Sequence, residues 1–387
     1  MKRFLLTLAL GIVCLSASSF DWKPQSNEEL RNEMFAYAEG FAKQFRGTPQ
    51  AREVRRFVRA QRRQAEAAPY AWVAQTADLV RSLEAQCPPV TDDGSREALM
   101  RRGILRLMDF PLHLDNYDAS APAEQAAAFG ALSASYRADA RAKALEWLGR
   151  PVPEPGVLEI MKVYNQGFLL RTSARTFAVD VKWEGTAEEA AHIAAAVDAF
   201  FLSHPHKDHY SDVLMSALAD AGKTVVLPSD VVPERCWDGK RVVEEVLAEP
   251  QDFCGIAAVV VRGDQGEGVP NNGYLLEFDG WRVLLPGENS HEELDEAFSS
   301  YAAPDLLLFP SWNGLDHMLE VVRAMPGYSR ESVTYIPGHE NELFHPVGHR
   351  ESYRELFTRK DRLGDAGTEY PRVILQDIGE PVSLRSL

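Results

Sequence analysis

At 387 residues, 45% hydrophobic and 25% charged, the chain is long enough to bury one large core and a smaller one, and too apolar for a disordered segment. Its 57 acidic against 41 basic side chains give a formal charge of −16, which repels polyanions and argues against DNA or RNA as the substrate.

The chain opens on Met1-Lys2-Arg3, an apolar run from Phe4 to Leu15 that is too short to span a bilayer, and the small residues Ser16-Ala17-Ser18-Ser19. This pattern predicts an export signal over 1–19 and a periplasmic or extracellular mature chain from Phe20. A lipid anchor on Cys14 is the rival reading, weakened by Val13 standing where a small residue is expected. Cutting there removes Lys2 and Arg3 and no acid, leaving a charge of −18. Of Cys87, Cys236 and Cys254, the last two could form a disulfide in an oxidising compartment with Cys87 left over, so the cysteines allow one bridge and prove none.

From Ser26 to about Glu146 the pattern is helical, and 20–150 reads as a helical domain. Ser26-Asn27-Glu28-Glu29 is a capping box, and Leu30, Met34, Tyr37, Phe41 and Phe45 share one face. Gly47 and Pro49 divide it from a second helix, where Arg52, Arg55, Arg56, Arg59, Arg62 and Arg63 surround a stripe of Val54, Phe57 and Val58. Those arginines read as a solvated face before they read as a contact for an anionic surface. Further helices over 70–86, 95–108 and 123–148 are separated by Pro88-Pro89 and Pro111, and the prolines at 151, 153 and 155 mark a domain boundary. His113, between two leucines, reads as a partly buried histidine.

Beyond the boundary, 151–387 changes to short β-branched and aromatic runs. Strands are expected over 157–164, 168–172, 177–181, 197–203, 225–227, 257–262, 274–278, 281–285, 306–309 and 333–336, with a helix near 188–196. The Asp279-Gly280 hairpin turn makes part of the sheet antiparallel, so a purely parallel sheet is disfavoured. The run Phe200-Phe201-Leu202-Ser203 then breaks into His204-Pro205-His206-Lys207-Asp208-His209, where Pro205 stops both helix and strand. Three of the chain's ten histidines fall within six positions, and imidazole with carboxylate is the donor set of zinc, iron and manganese.

This H-x-H-x-D-H arrangement resembles the signature of the metallo-β-lactamase superfamily. The resemblance implies an α/β chain with a four-layered αββα sandwich after the helical domain, and a di-metal hydrolase with His204 and His206 on one ion and Asp208 and His209 on the other. It extends over roughly 157–345. Asp180 stands in the place of a structural aspartate that holds the histidine loop, and Tyr335-Ile336-Pro337-Gly338-His339 looks like the closing motif whose histidine completes the second ion. The stretch ending Pro286-Gly287-Glu288 is similar to the hairpin before the bridging carboxylate, with glutamate where aspartate is usual. No histidine lies between His209 and His291, so the family's remaining ligand position falls to Asp264, 24 positions before Glu288.

The resemblance thus implies two divalent ions, zinc first and manganese or iron as alternatives, held by His204, His206, Asp208, His209, Asp264, Glu288 and His339. A metal-bound hydroxide would attack an ester, lactone or phosphodiester bond, because coordination lowers a water's pKa from about 15.7 toward about 7. Asp208 and His345 are the candidate catalytic groups; His345, six positions after His339, has a surface or capping role as its rival reading. The pieces look closest to the branch that includes ascorbate-phosphate lactonase and phospholipid-cleaving phosphodiesterases. A small-molecule substrate follows, with no nucleic acid and no transmembrane helix in the mature form. The competing function is a degenerate member of the fold that binds a ligand or partner without catalysis.

Overall fold

The computed structural model describes residues 26–114, 122–228, 231, 237–243, 247–266, 268–288, 292–311, 314–343, 347, 350–365 and 370–386. The export leader with Cys14, the bridge candidate Cys236, and His345 lie outside the described residues. Cys87 is half-buried, its sulfur 3.5 Å from that of Met100.

Helix α1 (Asn27–Gln44) starts at the expected box: Ser26 Oγ accepts from the Glu29 amide at 3.2 Å, and the Ser26 amide donates to the Glu29 carboxylate at 2.9 Å. Thr48 caps α2 (Pro49–Gln64), which buries Ala51, Val54 and Val58 and leaves Arg52, Arg56, Arg59, Arg62 and Arg63 exposed. Helices α3 (Ala71–Glu84), α4 (Arg96–Leu112) and α5 (Ala123–Leu148) complete the bundle, and none of the described helices is long and apolar enough to cross a membrane. Two local expectations change. Helix α4 runs through Pro111, because a proline in the last turn loses only its own missing N–H, while the His113 amide still reaches Asp109 O at 2.9 Å. After Pro88-Pro89, β1 (Val90–Thr91) leaves the bundle and pairs antiparallel with β14 (Arg372–Leu375), so the helical region lends a strand to a sheet built otherwise from residues after 246.

The remaining strands form two sheets. The first runs β15 (Pro381–Arg385), β2 (Val157–Tyr164), β3 (Gly167–Arg171), β4 (Thr176–Val179), β5 (Ala199–Phe201), β6 (Thr224–Pro228) and β7 (Lys240–Val243). The second has the order β1, β14, β13 (Thr334–Gly338), β12 (Leu306–Pro310), β11 (Trp281–Leu285), β10 (Pro270–Phe278), β9 (Ile256–Asp264) and β8 (Leu247–Phe253). Both are mixed, with the Asp279-Gly280 turn joining β10 and β11 antiparallel as expected. The sequence does not signal β7, β8, β14 and β15, which are short, charged or interrupted by proline and depend on pairing with other strands.

Phe177, Phe201, Tyr274, Phe278, Leu308 and Ile336 fill the space between the two sheets. Helices α6 (Ala187–Ala196) and α7 (Asp212–Asp220) cover the outside of the first sheet over Trp183, Ile193, Phe200 and Leu218. On the outer face of the second sheet lie α8 (Leu315–Ala324) and α9 (Tyr353–Asp365) over Leu284, Leu307, Leu319 and Phe357. The order of layers is therefore αββα, with the helical region packed at one end. Its core is continuous with the loops there, since Leu30, Met34, Phe41 and Leu107 belong to one buried cluster with Tyr164, Leu343 and Val347.

Candidate metal centre

Parallel strands deliver their C-terminal loops to one edge of a sheet, which is where side chains from distant sequence positions meet. Strand β5, parallel to β4 and β6, ends on His204 to His209; β11 and β13, both parallel to β12, end on Glu288 and His339. Gly338 precedes the last histidine because a Cβ there would meet Gln166 Oε1 at 1.8 Å, and His339 itself takes a left-handed φ of 66° that turns the chain after β13.

The convergence produces two groups of donors. Ligand atoms of His204, His209 and Glu288 all lie within 4.8 Å of one another, as do those of Asp208, His209 and His339. His209 belongs to both: its Nε2 is 3.0 Å from Asp208 and 3.4 Å from Glu288, and its Nδ1 is 3.1 Å from Asp180. Glu288 Oε1 also contacts His339 Nε2. Asp180 acts as the resemblance implied, accepting from the Ser203 amide at 2.7 Å and the Ser203 hydroxyl at 2.6 Å, so it fixes the start of the histidine loop.

These residues fit a metal. The single Ser203 proton is given to Asp180, so the 3.0 Å contact between Ser203 Oγ and His204 Nδ1 is donated by the imidazole. That fixes the tautomer and leaves His204 Nε2 as a bare lone pair, fully buried and without a hydrogen-bond partner among the described residues. Burial and the neighbouring His209 keep His204 well below the ordinary histidine pKa. Burial opposes the charges on Asp208 and Glu288, yet His209 beside the first and His339 beside the second hold both carboxyls well below their usual range. Burial likewise opposes charge on His339, and Glu288 overrides it, pushing that imidazole up to about 10. The cluster therefore demands positive charge, which a divalent ion supplies in place of protons.

Two expected ligands stand apart from these groups. His206 is not among the clustered donors, although its ring centroid is 4.7 Å from that of His204. Asp264, at the end of β9, is in neither group; its Oδ1 accepts the Gly266 amide at 2.5 Å, and it is the next residue, Gln265, whose amide reaches Glu288 at 3.3 Å. The supporting contacts were not legible in the sequence. Asn165 donates to Asp208 at 2.7 Å from a left-handed φ of 55°, Asn271 accepts the Glu288 amide at 2.9 Å, and buried Lys162 donates to Pro337 O at 3.0 Å and pairs with Glu340 beneath the last histidine. The signals available were the polar Asn165-Gln166-Gly167 turn and the run of acids around His339. Replacing Asn165 with alanine removes the amide that orients Asp208, so metal affinity is expected to fall about 10–100-fold with unchanged circular dichroism. Competition with a chromophoric chelator reads this, and wild-type affinity would refute the role.

Facing mixed sheets between helical layers, with imidazoles and carboxylates gathered at the strand ends, form the αββα arrangement that the resemblance to the metallo-β-lactamase superfamily implies. No family model matches the sequence, and no curated protein does. Among solved structures, the chain is similar to the metallo hydrolase Igni18 of Ignicoccus hospitalis, at 15% identity and TM-score 0.45 over 59% of this chain and 99% of that one. It is also similar to the metallo-β-lactamase fold protein YhfI of Bacillus subtilis, at 14% and 0.41 over 59% and 100%, and to the diiron β-hydroxylase CmlA of Streptomyces venezuelae, at 16% and 0.39 over 68% and 57%.

Proposed function

We propose that the protein is an exported metal-dependent hydrolase that cuts an ester, lactone or phosphodiester bond. The observation that carries this reading is the pair of donor groups joined through His209, with a tautomer-fixed lone pair on His204 aimed into buried space. One structural ion needs four donors in a closed shell, whereas this arrangement offers more, and open positions are what catalysis uses. His204, His206, Asp208, His209, Glu288 and His339 would hold two divalent ions, zinc first and manganese or iron next, with Asp264 as a further ligand. A carboxylate has lone pairs enough to keep the Gly266 amide and also ligate. Such ions supply an activated water and polarise the bond to be cut. The chain's own residues do the positioning: Asp180 and Asn165 set His209 and Asp208, Asn271 sets Glu288, and Lys162 with Glu340 supports the turn that carries His339.

Metal analysis with turnover of ester, lactone and phosphodiester substrates tests the reading. At least one equivalent of transition metal and hydrolysis of one class are expected. Less than one equivalent, with no turnover after supplementation, would favour the ligand-binding alternative. Export is checked by the intact mass of secreted protein, which should start near Phe20 and carry no lipid on Cys14.

A further inference from the structure

Beside the metal centre, where α5 crosses the first sheet, Arg137, Arg141, Val163, Tyr164, Lys182 and Glu184 line a cleft of about 10 Å³, room for about one water. In a chain of charge −16, three cations meet here from two elements: Arg137 and Arg141 stand one helical turn apart on α5, and Lys182 follows β4. Chain connectivity ties the cleft to the metal shell on three sides. Tyr164 adjoins Asn165, the donor to Asp208; Lys182 lies two residues after Asp180, the partner of His209; and Tyr164 Oη accepts the amide of Leu343, four residues after His339 at 2.9 Å. Asp208 and Glu342 lie within electrostatic reach of Lys182.

One carboxylate already spans two of these cations. Glu184 contacts Arg137 through Oε2 and approaches Lys182 at 3.5 Å through Oε1, on a side chain 27% exposed at the mouth of the cleft. Glu184 is the most exposed of the three side chains, at 27% against 18% for Arg137 and 13% for Lys182, so a second carboxylate arriving from the mouth exchanges with it charge for charge. A guanidinium and an ammonium already hold the two oxygens of one carboxylate, and Arg141 lines the same cleft as a second guanidinium, a donor set suited to a carboxylate.

We propose that Arg137, Arg141 and Lys182 form a subsite for a carboxylate group of the substrate, which enters by displacing Glu184. The proposal rests on the hydrolase reading for the neighbouring bond cleavage, but the subsite belongs to the chain alone and exists without metal. It gives the helical region a role: α5 supplies two of the three cations, so the region completes the substrate cleft.

Two measurements test this. Calorimetric titration of the metal-free full chain with succinate should show binding that tightens about 10-fold in Glu184→Gln, which removes the internal competitor, and weakens about 10-fold in Arg141→Ala. With metal, the ratio of kcat/KM for monophenyl succinate over phenyl acetate should exceed one and fall in Arg141→Ala, chiefly through KM. Equal succinate affinity in wild type, Glu184→Gln and Arg141→Ala overturns the subsite. So does hydrolysis of both esters with no preference for the charged one, which leaves the hydrolase reading standing. Succinate binding that responds to both substitutions in a chain that hydrolyses neither ester supports the subsite and removes the hydrolase reading.

Discussion

Replacing His339 with alanine should release metal and lower hydrolysis by at least about 100-fold while the far-ultraviolet circular dichroism stays unchanged. Changes to groups that only orient a ligand cost about 10–100-fold, and loss of a ligating atom exceeds that. His339 sits on a turn after β13, and its removal also takes away one of the two imidazoles beside buried Glu288. His206→Ala should behave similarly if its imidazole joins His204 on the first ion. The same measurement decides Asp264: Asp264→Ala should lose metal at least about 10-fold, whereas Asp264→His should retain it and shift preference toward zinc, because imidazole is the softer donor. Unchanged metal content in Asp264→Ala would assign that carboxylate to the Gly266 turn alone, and wild-type activity in His339→Ala would sink the whole ligand assignment.

The second large effect lies where the helical region joins the sandwich. Arg101 on α4 is buried, donates to Leu375 O and Cys87 O at 3.2 Å each, pairs with Glu380, and lies 3.6 Å from Glu84. Glu380 in turn accepts the Asp377 amide at 2.8 Å, and Asp377 accepts from the hydroxyls of Tyr136 on α5 and Tyr353 on α9. Burial pushes both Glu84 and Glu380 up from the usual carboxylate range, and Arg101 opposes that shift. Arg101→Met would leave two carboxylates buried without their cation, at a cost of about 3–5 kcal/mol. Urea unfolding should show that loss. The double substitution Arg101→Met with Glu380→Gln should recover part of it, since the stranded charge is the larger cost. A loss below about 1 kcal/mol would mean that the network does not hold the two regions together.

Much of this protein was legible from local chemistry. The capping box at Ser26, the alternation of β2, the Asp279-Gly280 turn and the break of an apolar strand into histidines each depend on residues near one another in the chain, so sequence alone determined the bundle, the mixed sheets and the location of the histidine loop. The tertiary structure decided what depends on distant partners. Val90 and Thr91 become a strand only because β14 offers an edge, and Arg101 is tolerated in the core only because Glu84, Glu380 and two carbonyls reach it from elsewhere. At the candidate metal centre, the sequence offered seven donors, and the structure gathers five of them into two groups, one being the expected Asp208, His209 and His339 and the other adding His209 to His204 and Glu288. His209 joins both groups because Asp180, Asp208 and Glu288 arrive from three separate strand ends, and His204 presents its Nε2 because a serine hydroxyl has one proton and spends it on Asp180. Ligand identity is a property of residue type, whereas ligand direction is set by hydrogen bonds to groups brought together only by folding.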